Sequence, residues 1–291
     1  MKTKNWNKVN QKYVNEGYLY LSFEFLKTWK SELKALNKNK EGARFQYPDS
    51  QIRFCSVLKT TFGVGLRQIQ GMMRGLQQWI PVPAIPDYTT ISRRFNKLGL
   101  DLVQSLANPV DGQVIAVDST GVKLYNSGQW IREKHKQRKP FLKLHVAVNV
   151  HTKQAVATIV TEDSVGDNAV VEELVKQAQN YAPIQTFLGD GAYDKRELWR
   201  DCSNSSIKLV IKLRRNASES GLSERARQVR LRNQIGQDEW NKQNEYGKRW
   251  LSEIWYSSFK RRFGEYTSAR KPENIKQELL FKAILCNQLI A

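Results

Sequence analysis

The chain has 291 residues, of which 40% are hydrophobic and 26% are charged. This composition supplies enough apolar side chains for one large or two ordinary domains, and it excludes a wholly disordered protein. Lys and Arg total 47 against 28 Asp and Glu, which gives a formal net charge of +19. Such an excess indicates a polyanionic partner, most simply nucleic acid, because basic side chains release the counterions held by phosphates.

Membrane-spanning and secreted proteins have sequence features that this chain lacks. It contains no run of about 18 apolar residues, and its first residues, MKTKNWNKVNQKYV, lack the apolar core of a signal peptide. The three cysteines form no CxxC pair, and three histidines are too few for a His-rich metal site. We therefore expect a reduced, cytoplasmic protein.

Residues 1–105 contain short stretches of helical periodicity and are predicted to form a helical domain with 17 basic and 7 acidic residues. A helix starts at the residues 48–50, and glycines 63 and 65 separate it from a second amphipathic helix. Together with a third helix over 87–98, residues 48–98 are typical of a helix-turn-helix-like segment that binds DNA.

The third of these helices has the composition of a recognition helix. Asp87 is placed to cap it, and its apolar positions leave a polar face of hydroxyl and basic side chains. Such groups reach base edges and phosphates. The residues predicted to bind DNA are Arg93, Arg94 and Lys97, with Thr89 and Thr90 beside them. The alternative is a capped helix with a solvated basic face.

The second part of the chain, 106–291, alternates strands with helices and is predicted to form a single α/β domain. Strands are predicted in GQVIAVDST, FLKLHVAVNV, KQAVATIVTE, QTFLGDGAYD and IKLVIKLRR, in that order. A helix that Asp167 can cap separates the third strand from the fourth, and two helices near 246–262 and 273–290 complete the chain. This order describes a mixed sheet covered by helices.

Three acidic residues in this domain are candidates for a metal site. Asp118 is predicted to end the first strand, Asp190 the fourth, and Glu253 lies in the penultimate helix. Carboxylates at neighbouring strand ends converge on one edge of a sheet, and their oxygens suit Mg²⁺ or Mn²⁺. Two such ions activate the attacking oxygen of a phosphodiester and stabilise the leaving oxygen. The alternative is that these acids are ordinary turn or cap residues.

The helix that contains Glu253 carries a second pattern. Tyr246, Arg249, Glu253 and Lys260 are predicted to fall within an arc of roughly 60° on one helix. A stripe of a phenol, a carboxylate and two cations is unusual for a helix face that packs in a core. Docking of a DNA backbone beside a metal ion explains it, with Tyr246, Arg249 and Lys260 near the DNA. The alternative is a solvated face with spaced ion pairs.

These residues reproduce a known signature. The spacing Y-x2-R-x3-E-x6-K, together with DSTGVKLYNSGQW, FLKLHVAVN, VGDNAVVEELV and GDGAYD in this order, resembles the DDE transposases of prokaryotic insertion sequences. The front end with PDYTTISRRF is also similar to the DNA-binding segment of that family. The resemblance extends over about residues 45 to 290.

The resemblance implies an RNase H-like core with Asp118, Asp190 and Glu253 as both the catalytic triad and the ligands of two Mg²⁺ or Mn²⁺ ions. It further implies a homodimer on paired double-stranded DNA ends, with the protein associated with the nucleoid. The interval between Asp190 and Glu253 is 63 residues, too short for the β-rich insertion of some relatives. Their hairpin chemistry is therefore not expected here.

The sequence thus predicts a transposase that binds terminal inverted repeats, cleaves the element's ends and joins the 3′-hydroxyl ends to target DNA. Two alternatives stay open: a transposon-derived DNA-binding regulator without catalysis, and a metal-dependent nuclease without strand transfer.

Further candidate residues have both a functional and a purely structural interpretation. His145 could approach the metal site, Lys123 and Lys143 could contact DNA, and Trp250 or Trp255 could stack on a flipped base. The alternative for His145 is a hydrogen-bonded histidine. For the two lysines it is ordinary surface charge, and for the tryptophans it is packing in the core.

Overall fold

The structure is a computed structural model that describes residues 5–106, 112–124 and 141–290. The chain divides into two compact units, Met1–Gly99 and Leu100–Ala291, which we call the helical unit and the sheet unit. None of the helices in these described ranges is both long enough and apolar enough to span a membrane.

The helical unit contains five helices among its described residues. They are α1 (Trp6–Tyr20), α2 (Glu24–Leu36), α3 (Asp49–Phe62), α4 (Leu66–Gln77) and α5 (Tyr88–Phe95). Gly63 ends α3 with φ +64°, a left-handed conformation that glycine adopts without steric cost. The helices share one core, formed mainly by Phe25, Trp29, Leu58, Ile69, Met73 and Ile91.

Helix α5 begins as the sequence predicts but ends earlier. The Asp87 side chain accepts hydrogen bonds from the backbone N–H groups of Thr89 and Thr90, the expected N-cap arrangement. The helix ends at Phe95 rather than at residue 98, and a turn carries Leu98 into the core. The predicted DNA-binding residue Lys97 therefore lies just beyond the helix.

The sheet unit is built on six strands within the described residues. These are β1 (Gln113–Leu124), β2 (Phe141–Asn149), β3 (Ala155–Glu162), β4 (Ile184–Gly189), β5 (Lys208–Ile211) and β6 (Tyr266–Thr267). The main order is β3-β2-β1-β4-β5, and β6 pairs with the far end of β1. The first three strands are antiparallel, whereas β4 and β5 run parallel to β1.

Helices cover this sheet on both faces. In chain order they are α6 (Val171–Gln179), α7 (Arg196–Asn204), α8 (Glu224–Ile235), α9 (Gln237–Gln243), α10 (Trp250–Phe263) and α11 (Pro272–Ile290). Alternation along β1 separates two cores. Ile115 and Val117 pack in a cluster with residues of α6 and α7, whereas Ala116 packs with Trp240 of α9. The predicted α/β fold class is confirmed: a mixed sheet covered by helices and preceded by helices.

Three local predictions for the sheet unit were wrong. Strand β1 continues to Leu124, so Asp118 lies in the middle of the strand rather than at its end. The chain at 246–249 forms a 3₁₀ turn, and α10 begins only at Trp250, so a single helical stripe does not extend through Tyr246 and Arg249. Asp167 does not cap α6, because it lies in a separate 3₁₀ turn, Asp167–Ala169, before that helix.

Candidate active site

Asp118 and Asp190 are brought together by the register of two parallel strands. Ala116 of β1 lies opposite Leu188 of β4. Asp118 and Asp190 each follow by two residues, and the backbone of Asp190 is still extended, with φ −82° and ψ 180°. Since alternate residues of a strand share a face, the two aspartates lie at the same level on the face of Ala116 and Leu188.

The end of β4 is shaped so that Asp190 is held in place. Its Oδ1 accepts a hydrogen bond of 2.8 Å from the backbone N–H of Ala192, which caps a 3₁₀ turn, Gly191–Tyr193. A Cβ atom on Gly191 would lie 3.1 Å from the backbone oxygen of Lys212. This close approach explains why glycine follows the acid.

Glu253 reaches the same region through Arg249. The Nη1 atom of Arg249 lies 3.5 Å from Oδ2 of Asp118, and its Nη2 atom forms an ion pair with Oε1 of Glu253. The guanidinium carbon lies 6.0 Å from the centre of the Tyr246 ring. Two of the other signature residues, Tyr246 and Glu253, therefore lie around the Arg249 cation beside Asp118. Lys260 lies apart from them in its contacts, with its Nζ 3.7 Å from Glu265.

The surroundings of Asp118 raise its pKa. Burial raises the pKa of Asp118, and the nearby carboxylates of Asp190 and Glu253 raise it further. The backbone N–H of Ser119 and the guanidinium of Arg249 act in the opposite direction but do not cancel the rise. A desolvated carboxylate among other carboxylates gains most from a bound cation.

Two residues that the sequence did not single out support Asp118 from α10. The buried hydroxyl of Ser252 lies 3.5 Å from Oδ2 of Asp118, and that of Tyr256 lies 2.7 Å from the backbone oxygen of Asp118. Tyr256 also lies 2.9 Å from the backbone oxygen of Leu144 on β2. Because Tyr256 is three residues after Glu253, the i, i+3 spacing was the signal that could have identified it.

Several minor candidates have local partners within the sheet unit. The Nζ of Lys143 donates to the backbone oxygen of Val165 at 3.0 Å, and Lys123 pairs with Glu265 at 3.3 Å. His145 is fully buried, and its Nε2 lies 2.9 Å from the hydroxyl of Thr161. These contacts favour ordinary surface ion pairs and hydrogen bonds for the two lysines, and a hydrogen-bonded buried histidine for His145.

The two tryptophans near Glu253 differ in exposure. Trp255 is 1% exposed and stacks on Phe259 with ring centres 5.1 Å apart, so it belongs to the core. Trp250 is 62% exposed at the start of α10. Of the two, only Trp250 presents a free ring surface.

The predicted DNA-binding residues of the helical unit differ in the same way. Arg93 and Lys97 are exposed. Arg94 is turned inward: its Nη2 lies 2.6 Å from Oδ1 of Asp49, its Nη1 donates to the backbone oxygen of Tyr47, and it stacks over Phe45. The hydroxyls of Thr89 and Thr90 donate to the carboxylate of Asp87, so they do not face outward as free donors.

Comparison with known proteins assigns the family. Residues 109–288 match a family model described as a transposase DDE domain, and a second model with the same description matches residues 14–127. The chain belongs to the DDE transposase family. It is therefore a transposase, an enzyme of DNA transposition, and enzymes of this family use divalent metal ions.

Solved structures of transposases are similar to this transposase at low identity. The piggyBac transposase synaptic complex with hairpin DNA is 11% identical over 95% of this chain and 74% of that chain, with a TM-score of 0.42. The Drosophila P element transposase strand transfer complex is 13% identical over 89% and 69%, with a TM-score of 0.37. The Mos1 strand transfer complex is 9% identical over 80% of this chain and 83% of that chain, with a TM-score of 0.26.

The side-chain chemistry of the three candidate acids fits hard divalent cations. Asp118, Asp190 and Glu253 supply only carboxylate oxygens, the ligands that Mg²⁺ and Mn²⁺ prefer. In the described ranges, no group of three or more His, Cys, Asp or Glu side chains is arranged so that it could hold a metal ion. Arg249 instead lies between Asp118 and Glu253 and supplies the positive charge there.

Proposed function

We propose that this enzyme is the transposase of a prokaryotic insertion sequence and that Asp118, Asp190 and Glu253 are its catalytic triad. It binds the terminal inverted repeats, cleaves phosphodiester bonds at the ends and joins the 3′-hydroxyls to target DNA by in-line displacement. The observation that carries the proposal is the contact of Arg249 with Asp118 and Glu253 beside the aligned Asp118 and Asp190.

Each residue of the site has a chemical task in this proposal. The three carboxylates would hold two Mg²⁺ or Mn²⁺ ions, which, when bound, would supply activation of the attacking oxygen and stabilisation of the leaving oxygen. Arg249 exchanges its carboxylate partners for the scissile phosphate, and Lys260 neutralises a phosphate further along α10. Tyr246, packed against the core on one side, orients Arg249 through its ring.

The helical unit supplies DNA binding in this proposal. Residues 1–105, which include the helical unit and which we propose as the DNA-binding domain, carry 17 basic and 7 acidic side chains. The exposed Arg93 and Lys97 contact phosphates, while Arg94 stabilises the unit from within.

Two copies of the chain hold the two ends of one element, because both ends must react at one target. The catalytic domain then corresponds to residues 106–291.

A strand-transfer assay tests this function. The probes are duplexes with the inverted repeats that flank the gene, one uncut and one already cut to expose the 3′-hydroxyl. We expect cleavage of the uncut duplex and joining of the pre-cut duplex to a supercoiled plasmid. Joining that fails while cleavage proceeds would indicate a nuclease. Specific binding with neither reaction would indicate a regulator.

A further inference from the structure

The exposed side of α4 is a basic surface that the proposed function does not use. We propose that α4, rather than α5, enters the major groove of DNA and reads base edges, while α5 contacts phosphates beside it. This inference rests on the proposed DNA binding by the helical unit. It assigns base recognition to Arg67, Arg74 and Gln78, none of which the sequence alone pointed to.

The connection between α3 and α4 has the form of a helix-turn-helix. Helix α3 ends at Phe62, and three residues, Gly63 to Gly65, lead into α4. The side chain of Gln68 accepts a hydrogen bond of 2.7 Å from the backbone N–H of Gly65 and fixes the start of α4. In this motif the second helix enters the major groove, and here that helix is α4.

Helix α4 has one apolar side and one polar side. Ile69 and Met73 are fully buried in the core of the helical unit. The opposite side, which we call the α4 outer face, falls within an arc of about 60°. It consists of the exposed residues Arg67, Gly71 and Arg74, and the exposed residue Gln78, which caps the end of α4, continues it. A helix with this division presents its outer face to solvent or to a partner.

The charge of the α4 outer face fits a nucleic acid. Between Asp49 and Asp87 the chain contains no acidic residue, but it contains Arg53, Lys59, Arg67 and Arg74. Arg74 has no ion-pair partner among the residues that the structure describes, and Arg67 is steadied by Tyr88, whose ring centre lies 4.3 Å from the guanidinium carbon. Arginine forms bidentate hydrogen bonds with guanine in the major groove, and glutamine does so with adenine.

The α4 outer face also permits close approach. Apart from its chain neighbours and the backbone of α4 itself, a Cβ atom at Gly71 would meet nothing within 4 Å, so packing inside the unit does not require glycine there. Glycine in a helix lowers stability relative to alanine. A flat surface that lets a DNA backbone or base edge come near explains its presence between the two arginines.

Helix α5 is less suited to reading bases. Its first turn, the part of a recognition helix that contacts base edges, is occupied by internal hydrogen bonds. The hydroxyls of Thr89 and Thr90 donate to Asp87, whose carboxylate would repel phosphates. Arg94 is bound to Asp49, which leaves Arg93 and Lys97 as exposed cations at the other end. This arrangement fits phosphate contact without base recognition.

The test compares Arg74→Ala with Arg93→Ala in the full chain. The probes are a duplex that the wild-type chain selects from a random-sequence library and a shuffled duplex of equal composition, both measured at the same salt concentration. We expect Arg74→Ala to lower the ratio of the two affinities about tenfold. Arg93→Ala should weaken binding to both duplexes by one factor and leave their ratio unchanged.

Gly71→Ala separates an interface role from a structural one. We expect it to raise the melting temperature, since alanine favours the helix, and yet to weaken binding of the selected duplex severalfold, because the methyl group obstructs close approach. Unchanged discrimination by Arg74→Ala, or lost discrimination in Arg93→Ala, would overturn the inference and leave the proposed function intact. A wild-type chain that selects no sequence would overturn the inference and the proposed DNA recognition together.

Discussion

Arg249 is the residue that links two members of the proposed triad, Asp118 and Glu253. Its guanidinium lies between Asp118 and Glu253, which come from parts of the chain 131 and 4 residues away from it. The Arg249 guanidinium favours the ionised form of the desolvated Asp118 carboxylate and lowers the pKa of Asp118, against the rise caused by burial. This is a physical reason for a signature in which an arginine precedes the glutamate by four residues.

The three acids should be separable from other acids by function. We expect Asp118→Asn, Asp190→Asn and Glu253→Gln each to lower DNA cleavage by at least about 1,000-fold, because each removes a proposed metal ligand. Binding of the same DNA should change little. Glu239→Gln, which changes an exposed acid of α9, is the matched control and should cleave normally. Near-normal nicking of a labelled duplex by one of the three variants would remove that residue from the triad.

Arg94 and Arg93 are neighbours with opposite surroundings. The Arg94 side chain is 13% exposed and bonded to Asp49 and Tyr47, so Arg94→Ala should destabilise the helical unit by about 1–3 kcal/mol. Arg93→Ala should stay within about 0.5 kcal/mol, as exposed substitutions do. Urea unfolding followed by circular dichroism measures both. Equal stabilities would contradict the inward role of Arg94.

Among the elements, the turn after β4 depends on a link to α8. The Asp194 side chain is 2% exposed, and Nε and Nη2 of Arg225 donate to its two oxygens at 2.8 and 2.7 Å. The indole N–H of Trp199 on α7 donates to the same carboxylate. This carboxylate therefore ties α7 and α8 to the segment that follows Asp190.

Asp194→Asn tests this link through stability. Burial alone would raise the pKa of Asp194, but the hydrogen bonds from Arg225 and Trp199 lower it below its ordinary value. Because the folded state favours the ionised form, its stabilising contribution is complete above pH about 4 and is lost as the pH falls through the lower folded pKa. We expect the variant to lose about 3 kcal/mol at pH 7.

The pH profile is the control for that substitution. Denaturant unfolding of both proteins should give free energies that converge as the pH falls below about 4, since protonated aspartic acid and asparagine are both neutral. A difference that stays constant down to pH 2 would mean that the asparagine acts through packing alone.

At the scale of the whole molecule, assembly on DNA and chemistry should have separate ion requirements. In the proposed mechanism, the net charge of +19 favours association with phosphates, whereas the three proposed acidic ligands need a hard cation for cleavage. We expect cleavage with Mg²⁺ or Mn²⁺ only. Ca²⁺ should support complexes in a gel-shift assay with little cleavage, because its looser geometry misplaces the attacking oxygen. Efficient cleavage in EDTA would contradict the metal assignment.

Local sequence patterns predicted much of the secondary structure. Alternating apolar residues predicted β2, and the helical periodicity of residues 48–98 predicted three helices, with Asp87 as a cap. These features depend on neighbours a few residues apart, whose spacing is written in the chain. The ordered motifs predicted the family as well, because they preserve residue types at fixed intervals.

Other features depended on contacts between distant residues. Asp118 lies within β1 because β2 and β6 extend the pairing of that strand to Leu124. The residues near Asp118 in the sequence do not indicate which strands pair there. Arg94 turns inward because Asp49, 45 residues earlier, lies within reach. Tyr256 meets Asp118 across 138 residues. Periodicity and residue type establish which elements form, whereas the direction of a polar side chain depends on which opposite charge or carbonyl the folded chain brings beside it.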